Sequence, residues 1–172
     1  TFEFMDFSWS GLGSYMTGSC NNNFFLNCDW HDNYDPMTNY ENADGLNFEG
    51  VKSGASNTLR GCRFWNNSDD GFDIGGGAII SIKNCWSFLN GYLETGDGAG
   101  FKNGGSSLIN WGTDTITRLI TNNISAFNKS GFFLLEYSGY HRMNARYFNN
   151  SSYSEIGSSF YFSQQNVEYP TV

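Results

Sequence analysis

The sequence contains few cations and few charges of any kind. Only 9 of its 172 residues are Lys or Arg, 15% are charged, and the formal net charge is −8. A nucleic-acid interface needs clustered cations to neutralise phosphates, so the composition excludes that class of partner. The longest strongly apolar run, at 132–135, is far shorter than the ~20 residues of a membrane-spanning helix. We therefore expect neither nucleic-acid binding nor a membrane span.

Patterns that form helices are equally scarce. No window places apolar residues at i, i+3, i+4 and i+7, and 21 glycines are spread along the chain. Aromatic residues make up 18% of the sequence, which is too much apolar bulk for a disordered chain. The length suits a single domain over residues 1–172. Because the first residue is Thr1, we expect that a leader was removed or that the chain is a piece of a longer protein.

Two short blocks recur along the chain. The first has a small or polar residue, apolar middle positions and Asn five residues later; it starts at Cys28, Cys62, Cys85, Asn123 and Asn144. The second follows it and has Gly before apolar residues, at Gly45, Gly71, Gly100 and Gly131, with looser copies at 13–16 and 158–162. Two short strands per unit, linked by Asn, Gly, Ser and Asp, predict an all-β parallel solenoid of about five to six coils.

Stacked coils place equivalent residues in rows. Cys28, Cys62 and Cys85 would form one buried row. A second row would be an asparagine ladder, because Asn tolerates the left-handed conformation of a sharp bend; its members would be Asn33, Asn67, Asn90, Asn128 and Asn149. Cys20 lies outside the repeat, and spacing alone leaves open whether it pairs with Cys28.

Carboxylates concentrate where the second block departs from its own pattern. Asp69, Asp70 and Asp73 lie within one run, and Asp44 has the position equivalent to Asp70 in the preceding coil. Stacking would bring these four side chains to about one strand spacing, where they repel unless a cation lies among them. Carboxylate oxygens in that number favour Ca²⁺. The alternative is that the Asp-Gly pairs only form turns.

A lysine replaces the acidic residue in the next coil. Lys102 has the same repeat position as Asn47 and Asp73, two residues after the glycine. We therefore expect Lys102 one rung from the carboxylates, among glycines that leave a groove open to a polymer. The alternative is a structural salt bridge between Lys102 and Asp73.

These runs resemble a known family. The segments 42–45, 66–73 and 96–102, preceded by Asn-Tyr-Asp-Pro at 33–36, are similar to polysaccharide lyase family 9 from about Asn27 to Gly105. The resemblance implies a right-handed parallel β-helix with an asparagine ladder. It also implies that Ca²⁺ is bound by four aspartates, with Lys102 as the Brønsted base; the four are Asp44, Asp69, Asp70 and Asp73.

The activity implied by the resemblance is Ca²⁺-dependent cleavage of pectate or another polyuronate by β-elimination. Arg60 and Arg63 are candidates for binding the carboxylates of such an acidic polysaccharide. One alternative is a non-catalytic structural or adhesive β-solenoid that self-associates through its ends into filaments. Another is a β-helical glycoside hydrolase in which Asp69 and Asp70 provide the acid and the base.

Each of these functions predicts a secreted or cell-surface protein. Five Asn-x-Ser/Thr sequons are candidates for glycosylation if the host is eukaryotic. They are Asn66, Asn123, Asn128, Asn149 and Asn150.

Overall fold

The computed structural model describes residues 1–52, 54–92, 95–105, 115–136 and 144–163. Over these ranges the chain winds through six coils of three short strands each. The first three coils contain β1 (Phe2–Glu3), β2 (Asp6–Ser8), β3 (Ser14–Gly18), β4 (Asn23–Leu26), β5 (Asp29–His31), β6 (Leu46–Val51), β7 (Ser56–Arg60), β8 (Arg63–Trp65) and β9 (Phe72–Gly76). The next three contain β10 (Ile79–Lys83), β11 (Trp86–Phe88), β12 (Ala99–Gly105), β13 (Arg118–Thr121), β14 (Ile124–Ala126), β15 (Ser130–Glu136), β16 (Ala145–Phe148), β17 (Ser151–Tyr153) and β18 (Phe160–Ser163). A short 3-10 helix, Pro36–Thr38, lies between β5 and β6.

Successive coils pair in parallel to form three six-stranded sheets. The first strands of the coils form the first sheet, the second strands the second sheet and the third strands the third sheet. This architecture is the parallel β-helix that the repeats predicted, with a coil number in the expected range. Within the described ranges, no helix has the length and apolarity to cross a membrane.

The sequence repeats predicted two strands per unit, whereas the structure has three. In the second to fifth coils the missed strand belongs to the first sheet, and in the sixth coil it is β17 of the second sheet. In the first coil the repeats gave only β3. The missed strands, such as Ser56–Arg60 and Ile79–Lys83, share alternating burial but no residue type at a fixed position. Alternation alone marks a half-buried strand only weakly when it extends over five residues.

Two bends in each coil depend on the left-handed backbone region. The bend between the first and second strands has φ of 51° to 67°, at Phe4, Asn27, Gly61, Asn84, Asn122 and Asn149. The bend after the second strand has φ of 53° to 59°, at Trp9, Asp32, Asn66, Leu89, Phe127 and Ser154. Asn is frequent at the first bend because its short polar side chain tolerates this conformation.

The residue after the second bend turns its side chain into the helix. Asn33 donates from Nδ2 to Oδ1 of Asn67 at 2.8 Å. Asn67 donates in the same way to Asn90 at 2.8 Å, and Asn90 to Asn128 at 2.9 Å. These bonds satisfy buried amides and join four coils along the helix axis.

The assignment of Asn149 to this row is wrong. In the sixth coil the equivalent position is Glu155, whose carboxylate accepts the backbone N–H of Asn128 at 2.6 Å. Asn149 lies instead in the bend between β16 and β17. The repeat block starting at Asn144 therefore covers a strand of the first sheet, because Asn recurs at both bends and its spacing alone does not distinguish them.

Stacked aromatic rings and cysteines fill the interior. The rings of Phe7 and Phe64 lie on either side of Trp30, with centroids 5.0 and 5.1 Å away. Cys28, Cys62 and Cys85 are fully buried, each directly before a strand of the second sheet. All four cysteines are free, so Cys20 and Cys28 form no disulfide.

Adjacent coils approach closely along a row of glycines. A Cβ on Gly45 would lie 2.5 Å from the carbonyl oxygen of Gly71. A Cβ on Gly71 would lie 2.8 Å from both the carbonyl oxygen of Gly100 and Nδ2 of Asn90. The glycine that follows Asp44 and Asp70 is thus required by coil stacking.

We expect Gly71→Ala to lower the free energy of unfolding by about 1–3 kcal/mol, because the backbone of the next coil must move to admit the methyl group. Urea unfolding followed by circular dichroism measures the change. Gly75→Ala is the matched control, since a Cβ there meets nothing within 4 Å. A loss of stability in Gly75→Ala equal to that in Gly71→Ala would contradict the explanation.

His31 connects the first two coils. Its Nε2 lies 3.1 Å from Oδ1 of Asp6, and its Nδ1 lies 2.6 Å from Oδ2 of Asp32. Its ring stacks on Trp65 at a centroid distance of 4.1 Å. Burial lowers the pKa of His31, but the hydrogen bonds to Asp32 and Asp6 outweigh burial, so the pKa is raised above 6.5.

A raised pKa makes the stabilisation by His31 depend on pH. The contribution is complete below the unfolded pKa of 6.5 and is lost as the pH rises through the folded pKa. Urea unfolding of the wild type and His31→Gln, from about pH 5 to about pH 9, should show a difference that shrinks with rising pH. A difference that stays constant or grows with pH would refute this role for His31.

Candidate active site

A groove of about 500 Å³ lies over the third sheet, where the second, third and fourth coils adjoin. Its lining includes Asp44, Asn47, Asp69, Asp73 and Lys102. These residues lie on β6, β9 and β12 or in the turns before them. The groove therefore contains most of the residues that the sequence singled out.

The strand register determines which side chains face each other. Asn47 pairs with Asp73 between β6 and β9, and Asp73 pairs with Lys102 between β9 and β12. This is the row that the repeats predicted. One carboxylate oxygen from each of Asp44, Asp70 and Asp73 lies within 4.8 Å of the other two. Three of the four predicted ligands are thus brought together.

Asp69 is buried beside Asp44, Asp70 and Asp73, which we call the trio, but its carboxylate has backbone partners. Its Oδ1 accepts the backbone N–H of Asp97 at 2.7 Å and that of Gly98 at 3.4 Å. These bonds attach the turn before β12 to the preceding coil. Asp69 also lines the groove, and its role as a metal ligand stays a prediction.

Lys102 is surrounded by carboxylates. Its Nζ lies 2.9 Å from Oδ2 of Asp70, 3.0 Å from Oδ2 of Asp97 and 3.3 Å from Oδ2 of Asp73. The salt bridge to Asp73 that the sequence left open is therefore present, together with two others. Burial lowers the pKa of Lys102, but the charges of Asp70 and Asp73 outweigh burial, and the net pKa is raised. Without a metal ion, Lys102 is a cation.

Burial is unfavourable for this many carboxylates. It raises the pKa of Asp44 well above its ordinary value, with repulsion from Asp70 next in importance. Burial and the charge of Asp70 also raise the pKa of Asp69 to about 8 and that of Asp73 to about 7. Burial raises the pKa of Asp70 too, although Lys102 opposes it. Lys102 therefore does not provide enough positive charge to keep the pKa values of Asp44, Asp70 and Asp73 at their ordinary level.

The donor atoms around the trio suit a hard divalent cation. All three charged donors are carboxylate oxygens, which Ca²⁺ and Mg²⁺ prefer. A fourth oxygen, Oδ1 of Asn47, is buried and has no hydrogen-bond partner among the described residues. Asp44, Asp70 and Asp73 could therefore hold such an ion, and the unpartnered amide oxygen in the same groove agrees with that assignment.

Arg60 and Arg63 are not brought to the groove. Arg60 is exposed at the end of β7 in the first sheet. Arg63 lies on the second sheet, where its Nε donates to Oδ1 of Asp29 at 2.6 Å. Neither side chain lines the groove, because their positions in the repeat place them on other sheets.

The five sequons differ in accessibility. Asn123 and Asn128 are fully buried, with their amides hydrogen-bonded inside the helix. The folded protein cannot carry a glycan at these two positions, which corrects the expectation for them. Asn66 and Asn150 are half-buried, and Asn149 is exposed.

Two residues of the site were not singled out from the sequence. Asp97 contacts Lys102 and lies within the run 96–102 that carries the family resemblance. Asn47 shares its repeat position with Asp73 and Lys102. This shared position could have indicated that Asn47 belongs to the site. Because its side chain is uncharged, there was no reason in the sequence to group it with the acidic residues.

The fold and the groove define a parallel β-helix with an acidic, lysine-containing cleft on one sheet. The model of a family described as "Pel9A-like, right handed beta helix region" matches residues 1–167, and the chain belongs to this family. The match confirms the resemblance to a pectate lyase-like right-handed parallel β-helix.

The similarity to named relatives extends over only part of each relative's length. Pectate lyase L of Dickeya chrysanthemi is 40% identical over 115 residues, which are 63% of this chain and 25% of that protein. Pectate lyase PEL9 of Emericella nidulans is 34% identical over 144 residues, which are 70% of this chain and 34% of that protein. The chain thus spans a quarter to a third of the length of these relatives.

Two solved structures are also similar. A rhamnogalacturonan lyase has a TM-score of 0.56 at 31% identity, covering 76% of this chain and 36% of its own. Pectate lyase Pel9A has a TM-score of 0.55 at 26% identity, covering 92% of this chain and 46% of its own. Three of these four proteins are named pectate lyases, and the fourth is named a rhamnogalacturonan lyase.

We expect Lys102→Met to destabilise the metal-free protein by about 3–5 kcal/mol, because Asp70 and Asp73 would stay buried without their cation. Urea unfolding in the presence of a chelator tests this. Lys52→Met, at an exposed lysine, should change stability by no more than about 0.5 kcal/mol. Equal stability of Lys102→Met and the wild type would show that the ion pairs contribute nothing.

Proposed function

We propose that this chain carries the catalytic region of a Ca²⁺-dependent polysaccharide lyase, which cleaves an acidic, uronate-containing polysaccharide by β-elimination with Lys102 as the base. The observation that carries the proposal is the grouping of Asp44, Asp70 and Asp73 beside Lys102 in one groove. Membership of the Pel9A-like family and the names of the relatives support it.

The trio would hold the ion, with Asp69 as the further ligand implied by the family resemblance. When bound, Ca²⁺ supplies positive charge that neutralises the uronate carboxylate and stabilises the charge developing beside it. The protein's own part is to keep these carboxylates close together through coil stacking. Asp70 is held by the backbone N–H of Ala99, which donates to Oδ1 at 2.6 Å.

Lys102 would perform the proton transfer. Positive charge held among the carboxylates would favour the neutral amine of Lys102. This amine would take the proton from C5 of the uronate, and the C5–H electron pair would form the C4=C5 double bond as the C4–O4 bond breaks. The departing oxygen is protonated by water. Asp97 and Asp70 contact Nζ from two sides, so they position the base at the groove. The products are an unsaturated uronate and a new chain end.

The natural substrate would be an acidic polysaccharide outside the cell, such as a cell-wall polyuronate. We therefore propose a secreted or cell-surface location. A protein that bound such a polymer through this groove without cleaving it would instead belong to the structural or adhesive class.

Two variants separate the base from the counterion. With Ca²⁺ and polygalacturonate, Lys102→Ala should lower the rate of unsaturated product, read by its ultraviolet absorbance, about 10²–10⁴-fold. Lys102→Arg keeps the positive charge opposite Asp70 and Asp73, but a guanidinium does not deprotonate, so it should be equally inactive and remain folded. Both variants should still bind Ca²⁺ in calorimetry.

Arg63→Ala is the control, because its side chain lies on another sheet; it should keep wild-type turnover. A parallel assay with rhamnogalacturonan determines which polymer is preferred. Wild-type rates in Lys102→Arg would exclude Lys102 as the base. Failure of the wild-type protein to bind Ca²⁺ would exclude the metal-dependent mechanism altogether.

A further inference from the structure

We infer that Asn47 is a direct ligand of the cation held by Asp44, Asp70 and Asp73, through its side-chain carbonyl oxygen. The inference rests on the proposed function, because it concerns the same ion. It adds a neutral ligand to a site for which the sequence suggested only carboxylates.

The orientation of the Asn47 amide is determined by its neighbour. Nδ2 donates to Oδ2 of Asp44 at 2.7 Å. The ionised carboxylate that binds a cation can only accept, so the nitrogen is the amide atom on that side. The carbonyl oxygen is therefore the other amide atom. This Oδ1 is buried, and no donor among the described residues reaches it. A buried acceptor without a partner is unfavourable, and a cation beside it would remove that cost.

The two coils that hold the trio repeat the same short arrangement. One coil provides Asp44 and Asn47, three residues apart, and the next provides Asp70 and Asp73 with the same spacing. Strand pairing sets Asn47 directly opposite Asp73. A cation between the coils would therefore meet an Asp-Gly-x-Asn segment on one side and an Asp-Gly-x-Asp segment on the other.

The charge of the site favours an amide at this position. Three carboxylates already have oxygens within 4.8 Å of one another, so a fourth negative charge would add repulsion. A carbonyl oxygen adds a ligand without adding negative charge, and Ca²⁺ accepts Asn oxygens as readily as backbone carbonyls. Asp69 uses one of its oxygens for the N–H groups of Asp97 and Gly98, so only its other oxygen is free for the ion. Ca²⁺ takes about six to eight oxygen ligands, which leaves room for Asn47 beside the aspartates.

The test uses Tb³⁺ as a luminescent substitute for Ca²⁺. Luminescence lifetimes in H₂O and D₂O count the water molecules bound directly to the ion. Asn47→Ala should gain one such water, because water takes the place of Oδ1. It should also bind Ca²⁺ about 10- to 100-fold more weakly in calorimetry. Asn47→Asp keeps an oxygen at the same place, so its water count should equal that of the wild type.

Asn42→Ala is the matched control, since Asn42 is an exposed asparagine that lines the same groove. Its water count and Ca²⁺ affinity should not change. An unchanged water count in Asn47→Ala would overturn the inference, even with weaker affinity, because Asn47 would then act only by orienting Asp44. If the wild-type protein bound neither Ca²⁺ nor Tb³⁺, the proposed function itself would fail, which is a distinguishable result.

Discussion

The parallel pairing of each coil with the next is the constraint on which every other feature depends. Strands about 4.8 Å apart place each residue directly over its counterpart one coil away. Asn47, Asp73 and Lys102 form a row for this reason, although 26 and 29 residues separate them along the chain. The glycine after each aspartate permits this spacing, because the backbones of adjacent coils leave no room for a Cβ there.

The same pairing creates an electrostatic problem inside the groove. Stacking brings Asp44, Asp70 and Asp73 together where burial already disfavours their charged forms. Lys102 compensates for part of that charge and becomes a firmly held ammonium in doing so. The residue proposed as the base is thus also the counterion of the metal-free protein. A divalent ion among these oxygens would change both roles at once, since it competes with Lys102 for Asp70 and Asp73.

Several expectations held because they rested on residue types that stacking itself requires. The Gly row and the Cys row are examples. The pairing of Asp73 with Lys102 held for another reason, since both have the same position in the repeat. Asn149 was misplaced because Asn is frequent both at the first left-handed bend of a coil and directly after the second, where the ladder residues lie. Arg60 and Arg63 were expected near the substrate because they precede the acidic run, but a bend separates them from the third sheet. Nearness along a solenoid chain indicates little about which sheet a side chain occupies.

The sequence by itself determined the repeat, the acidic departure from it and the lysine in the next coil. These three features are visible in the sequence because equivalent positions in a solenoid recur along the chain. Only the tertiary structure decided which atoms meet. It directed an oxygen of Asp69 to the backbone of the next turn, added Asp97 to the partners of Lys102 and left Oδ1 of Asn47 without a donor. Such choices depend on side-chain direction and burial, which a pattern of residue types does not contain.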